Sequence, residues 1–170
     1  LLKQSAFVKV AEPPATALNN ATRAEIYNFI KANPGVQFWR ICSYLGLSTG
    51  LAEFHLGVLT RAGLLSFFRD GKYKRFFDSK RFSKKQMRII SVLRHGTAGK
   101  ILRAILEREK VSHSELAREL SITSQGLTWQ MNCLRKNRLI VESKTNKKLL
   151  YHIEHANATL LTEMAKLVQT

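Results

Sequence analysis

The chain has 170 residues, 45% of them apolar, which suffices for a buried core and excludes a disordered tail. Its 28 Lys and Arg against 12 Asp and Glu leave a net charge of +16. That excess repels itself in a compact state and points to a polyanionic partner, nucleic acid first among them. Acids so sparse, with no Gly-rich phosphate loop, nucleophile elbow or paired carboxylates, argue against an enzyme.

No apolar run approaches the ~18 residues a membrane span needs, and no secretory pattern appears. Cys42 and Cys133 lie in apolar-periodic segments and read as buried, reduced thiols. The expectation is a cytoplasmic protein with no membrane contact within these residues. The chain begins Leu1-Leu2-Lys3 rather than with Met, as a piece excised from a longer protein would.

In chain order, residues 1–18, with Pro13-Pro14, read as an extended arm. A first unit spans 19–80. Thr22-x-x-Glu25 has the pattern of a capping box opening a helix with Ile26, Phe29 and Ile30 on one face. Asn33-Pro34-Gly35 stops it. Val36–Phe38 is a short extended piece, Trp39–Leu45 a second helix, and Ser48 caps a third that runs to Ala62. Leu64–Phe68, a turn at Asp70-Gly71, and Tyr73–Phe77 read as a β-hairpin. Residues 81–95 form a basic linker helix with Lys84, Lys85 and Arg88 on one side, and Met87, Ile90 and Leu93 or Ile89, Val92 and Leu93 on the other.

The second unit, 96–155, repeats the first at an offset of 75. Ile26 falls on Ile101, Ile30 on Ile105, Val36 on Val111, Leu45 on Leu120, Leu59 on Leu134 and Leu64 on Leu139, without a gap. Its helices are expected at Gly99–Glu109, Ser114–Leu120 and Ser124–Lys136, and its strands at Leu139–Ser143 and Lys148–Ile153. In residues 156–170, Leu160, Leu161, Met164, Leu167 and Val168 recur at helical spacing, so this amphipathic C-terminal helix either joins two copies as a homodimer or packs on its own unit.

The order helix, short strand, helix, turn, helix, hairpin predicts a mainly α fold with small β-hairpin wings: two tandem winged helix-turn-helix domains joined by a helix. The run LGLSTGLAEFHLGVLTRAGLL followed by RDGKYKRFF resembles the ArsR- and MarR-like winged-helix regulators. The preceding NPGVQFWRICSYLGLS is similar to archaeal tandem winged-helix regulators. The resemblance implies a transcription regulator that binds double-stranded DNA through the third helix of each unit.

In such an architecture the third helix enters the major groove and the hairpin contacts backbone or minor groove. On the second unit's third helix the outward set is Ser124, Gln125, Thr128, Trp129 and Asn132, followed by Arg135. Gln pairs bidentately with adenine, and Ser, Thr and Asn bond base edges or phosphates. The first unit offers Thr49, Gly50 and Glu53, with no cation before Arg61, so it suits direct base reading less well. Leu51 and Phe54 there fit a protein partner as readily. Its hairpin carries Arg69, Lys72, Tyr73, Lys74 and Arg75, and the second hairpin Lys144, Lys147 and Lys148; all are candidates for phosphate contact, with Lys84 and Lys85 on the linker. No cofactor and no metal site is expected: His152 and His155 lack a cluster to complete four ligands. A winged-helix protein-interaction scaffold and a charge-driven, non-specific nucleic-acid binder are the competing functions.

Overall fold

The computed structural model describes residues 13–145 and 148–168, so residues 1–12 of the expected arm, and Lys147, lie outside the described residues. The described end of that arm is not extended: Pro14–Ala17 form a helical turn, and Ala17 is buried against Val58 and Ala62. The chain divides into two compact units between Phe82 and Ser83. Unit one contains α1 (Pro14–Ala17), α2 (Ala21–Ala32), β1 (Val36–Gln37), α3 (Phe38–Leu45), α4 (Thr49–Arg61), β2 (Leu65–Asp70) and β3 (Tyr73–Asp78). Unit two contains α5 (Lys84–Leu93), α6 (Gly96–Arg108), β4 (Val111–Ser112), α7 (His113–Glu119), α8 (Ser124–Lys136), β5 (Ile140–Thr145), β6 (Lys148–Ile153) and α9 (His155–Leu167). The protein is mainly helical, with two small antiparallel three-stranded sheets.

In unit one, Asn20 rather than Thr22 caps α2; its side-chain oxygen accepts the Arg23 N–H at 3.0 Å. Asn is at least as good a cap as Thr, and the earlier start draws Thr22 and Glu25 into the helix, away from the expected capping box. Ile26 and Ile30 of α2, Ile41 of α3, and Leu56 and Leu59 of α4 close over Val36, Leu65 and Phe76 of the sheet. The sheet runs β1-β3-β2, with Val36 opposite Phe76 and the hairpin paired from Leu65–Asp78 to Asp70–Tyr73. The loop is therefore Gly71-Lys72, one position later than the expected Asp70-Gly71 turn. Gly71 has φ +59°, which a two-residue hairpin loop demands of its first residue.

Unit two repeats these elements with little change. The bounds of α4, β1, β2 and β3 reappear in α8, β4, β5 and β6 at the same 75-residue shift, and so does the pairing, with Val111 opposite Tyr151 and Ile140 opposite Ile153. The eight core positions of unit one fall on Ile101, Ile105, Val111, Leu116, Met131, Leu134, Ile140 and Tyr151, all buried. Helix α6, the counterpart of α2, begins at Gly96, three residues before its expected start.

The segment expected as a linker belongs to unit two. A capping box opens α5: Ser83 Oγ accepts the Gln86 N–H at 3.3 Å, and the Ser83 N–H donates to Gln86 Oε1 at 2.8 Å. Met87 and Ile90, and also Ile89 and Leu93, are buried, because α5 packs against both α6 and α9. Leu161 and Met164 of the C-terminal helix, and Val168 directly after it, are buried too, and α9 packs against α5 and α6 of its own unit, which is the second of the two arrangements its spacing allowed. Among the described residues, no helix is long and apolar enough to cross a membrane.

Candidate nucleic-acid interface

Ser124, Gln125, Thr128, Trp129, Asn132 and Arg135 are all exposed on α8, opposite the buried Leu127, Met131 and Leu134. Thr123 caps this helix, its Oγ1 accepting the Gly126 N–H at 3.2 Å, so the first turn stands clear with Ser124 and Gln125 at its tip. Three members of the set are held by neighbours. Thr128 Oγ1 donates to the Ser124 carbonyl at 2.9 Å and lies 3.1 Å from His113 Nε2. Arg135 spans Asn132 Oδ1 at 3.1 Å and Glu142 Oε1 at 2.7 Å. Half of the predicted row is thus tied into a polar network with α7 and β5, while Gln125 and the 64% exposed Trp129 project from it. Lys144 and Lys148 are exposed near the tip of the second hairpin, and Lys84 and Lys85 on the outer side of α5.

On unit one, Thr49, Gly50 and Glu53 are exposed on α4, and Arg69, Lys72, Tyr73 and Lys74 at the hairpin. Arg75 departs from expectation. It is 3% exposed, its Nε donates to Asp70 Oδ2 at 2.7 Å, and its Nη1 donates to the Gly35 carbonyl at 3.2 Å. Strand alternation explains this: Arg69 and Lys74 pair on one face of the hairpin, and Arg75, one residue on, turns to the other. Arg75 fastens the hairpin to the turn before β1 and is not a surface cation.

Between the start of α3, one side of α4 and the Arg69–Lys74 face of the hairpin lies an open cleft of about 830 Å³. Phe38, Trp39, Phe67, Tyr73 and Phe76 line it, with Arg61, Arg69, Lys72 and Lys74 as cations and Glu53 as the one carboxylate. Its rings are unusually bare for large aromatics: Trp39 is 57% exposed, Phe67 42% and Tyr73 41%. The indole is oriented by its Nε1–H, which donates to Gln37 Oε1 at 2.6 Å. Lys74 Nζ sits 5.1 Å from the centre of the Phe67 ring, and Lys72 Nζ 5.3 Å from that of Tyr73. Each pair places a cation within reach of a π face.

The chain matches no family model and no curated protein.

Trp39 and Phe67 are not among the expected surface groups, because an aromatic in a strand or at a helix start counts first as core. A signal was nevertheless present. At the 75-residue shift, Trp39 falls on Ser114 and Phe67 on Glu142, and a position that is polar in one copy is not a core position of the shared unit. Cys42 and Cys133 are half-buried free thiols. Among the described residues, no group of three or more His, Cys, Asp or Glu side chains is arranged to hold a metal ion.

Proposed function

We propose that the protein is a DNA-binding transcription regulator built from two winged helix-turn-helix domains, akin to the archaeal tandem regulators its sequence resembles. The observation that carries this reading is α8: an exposed helix face beginning with Ser124 and Gln125, capped by Thr123, beside a lysine-bearing hairpin. In a major groove, Gln125 would meet base edges, with adenine its preferred bidentate partner. Lys144 and Lys148 would hold flanking phosphates, which fix register without reading sequence. The net charge of +16 supports the same partner, since each neutralised phosphate releases counterions.

The test is selection of bound sequences from a random duplex pool, repeated with Gln125→Ala. The variant should lose ~1–3 kcal/mol on the preferred site and little on other duplexes. An unchanged preference profile refutes the role given to α8. A second reading, a protein-interaction scaffold, draws on Leu51 and Phe54, which are 44% and 60% exposed on α4. Negligible affinity for any duplex at low salt would favour it.

A further inference from the structure

The cleft of unit one contains more exposed aromatic surface than its fold requires, and the second copy of the fold demonstrates this internally. With the same strand register, unit two carries Ser114 where unit one has Trp39, Glu142 in place of Phe67, and Lys148 in place of Tyr73. There the corresponding space is spanned by the Arg135–Glu142 ion pair and the His113–Thr128 hydrogen bond. In unit one the same space is open, and Gly57, at the place of Asn132, puts no side chain beyond Cα on the α4 wall. The rings are therefore not a packing requirement of this unit.

Their chemistry selects the occupant. Base pairs in a duplex cover one another's faces and present only edges in the grooves. An unpaired strand exposes π faces and phosphates in alternation, and proteins hold it with aromatic rings interleaved with cations. The cleft offers that alternation, with Lys72 beside Tyr73 and Lys74 beside Phe67, each cation over a ring. Its four cations against Glu53 alone favour a polyanion, and its volume of about 830 Å³ accepts nucleotide-sized groups. We infer that this cleft binds single-stranded nucleic acid, with bases stacked on Trp39, Phe67 and Tyr73 and phosphates held by Arg69, Lys72 and Lys74. The inference goes beyond the duplex reading proposed for α8 and does not depend on it.

The test uses the full chain carrying Trp129→Phe, so that Trp39 is the one remaining indole of the two in the sequence. Oligothymidylate should quench its fluorescence on binding, and mixed-sequence duplex should not. Trp39→Ser and Phe67→Ala, read by anisotropy of labelled oligothymidylate, should each weaken binding by roughly 5- to 150-fold, the range for loss of one stacked base. Tyr73→Lys separates stacking from charge, because it adds a cation that the second copy already carries at this place in its hairpin. Stacking requires that it weaken single-strand binding despite the added charge.

Tighter binding by Tyr73→Lys, absence of quenching by oligothymidylate, or equal quenching by duplex each overturns the inference. So does quenching by an acidic, aromatic-containing peptide at lower concentration than by oligothymidylate. The duplex preference dependent on Gln125 would survive any of these results, so failure here is distinguishable from failure of the proposed function.

Discussion

His55 lies on the core side of α4 with 6% of its surface exposed, and its Nδ1 has no hydrogen-bond partner among the described residues. Burial, and to a lesser degree the charge of Arg23, lowers its pKa below the ordinary 6.5. The unfolded chain therefore takes up this proton at a higher pH than the folded one, and protonation favours unfolding. The stabilisation is complete above the unfolded value of 6.5 and is lost as pH falls toward the lower folded value. Thermal melts of unit one's transition should show a falling midpoint below that pH, and His55→Leu should flatten the fall. Equal slopes for both proteins would contradict the assignment. Arg75 shows what residue type alone misses: among the cations at the hairpin it looks like its neighbours, yet strand parity sends it inward to Asp70 and Gly35.

At the scale of elements, unit two has a close approach where α5 meets α6. A Cβ on Gly99 would stand 2.3 Å from the Leu93 carbonyl oxygen and 3.0 Å from its carbon, both backbone atoms at the end of α5. The Gly99 N–H donates to the His95 carbonyl at 2.7 Å, so the turn between the helices is pinned close to this point. In unit one the same place on α2 is held by Ala24. Gly99→Ala should destabilise unit two by about 1–3 kcal/mol, despite alanine's better helix propensity, because backbone cannot yield as a side chain does. Chemical denaturation measures it; a stabilised variant would show that α5 does not press on α6 at this point. The repeat alone could not reveal this approach, since it depends on which helices pack together.

For the molecule as a whole, the proposed function implies that affinity for duplex is set mainly by charge, and Arg69, Lys72 and Lys74 are exposed carriers of it. Replacing Arg69, Lys72 and Lys74 with Ala should weaken binding to every duplex alike. It should also flatten the dependence of log affinity on log salt by about one unit for each phosphate that is no longer neutralised. Arg75→Ala belongs to another class: it removes a buried ion-pair partner from Asp70, and should lower stability before it alters the salt slope. An unchanged slope in the triple variant would move the nucleic-acid interface away from this hairpin. On α4, Leu51 and Phe54 are exposed without being among the residues that line the cleft, whereas Glu53 and Gly57 do line it.

Sequence alone determined the order of the elements from α2 onward, the duplication and most of the core, because a repeated pattern of apolar positions at periods 3.6 and 2 records the buried faces of helices and strands directly. The match between α4 and α8, and between the two hairpins, was legible from Ile26, Val36, Leu59 and their counterparts. Tertiary structure decided which side chains of equal chemistry are free to act. It turned Arg75 inward, tied Thr128, Asn132 and Arg135 into a network, assigned α5 to the second unit, and left Trp39 and Phe67 bare beside Lys74. The reason is physical: burial follows from a residue's local period, but exposure of a polar or aromatic group depends on what the rest of the chain places against it.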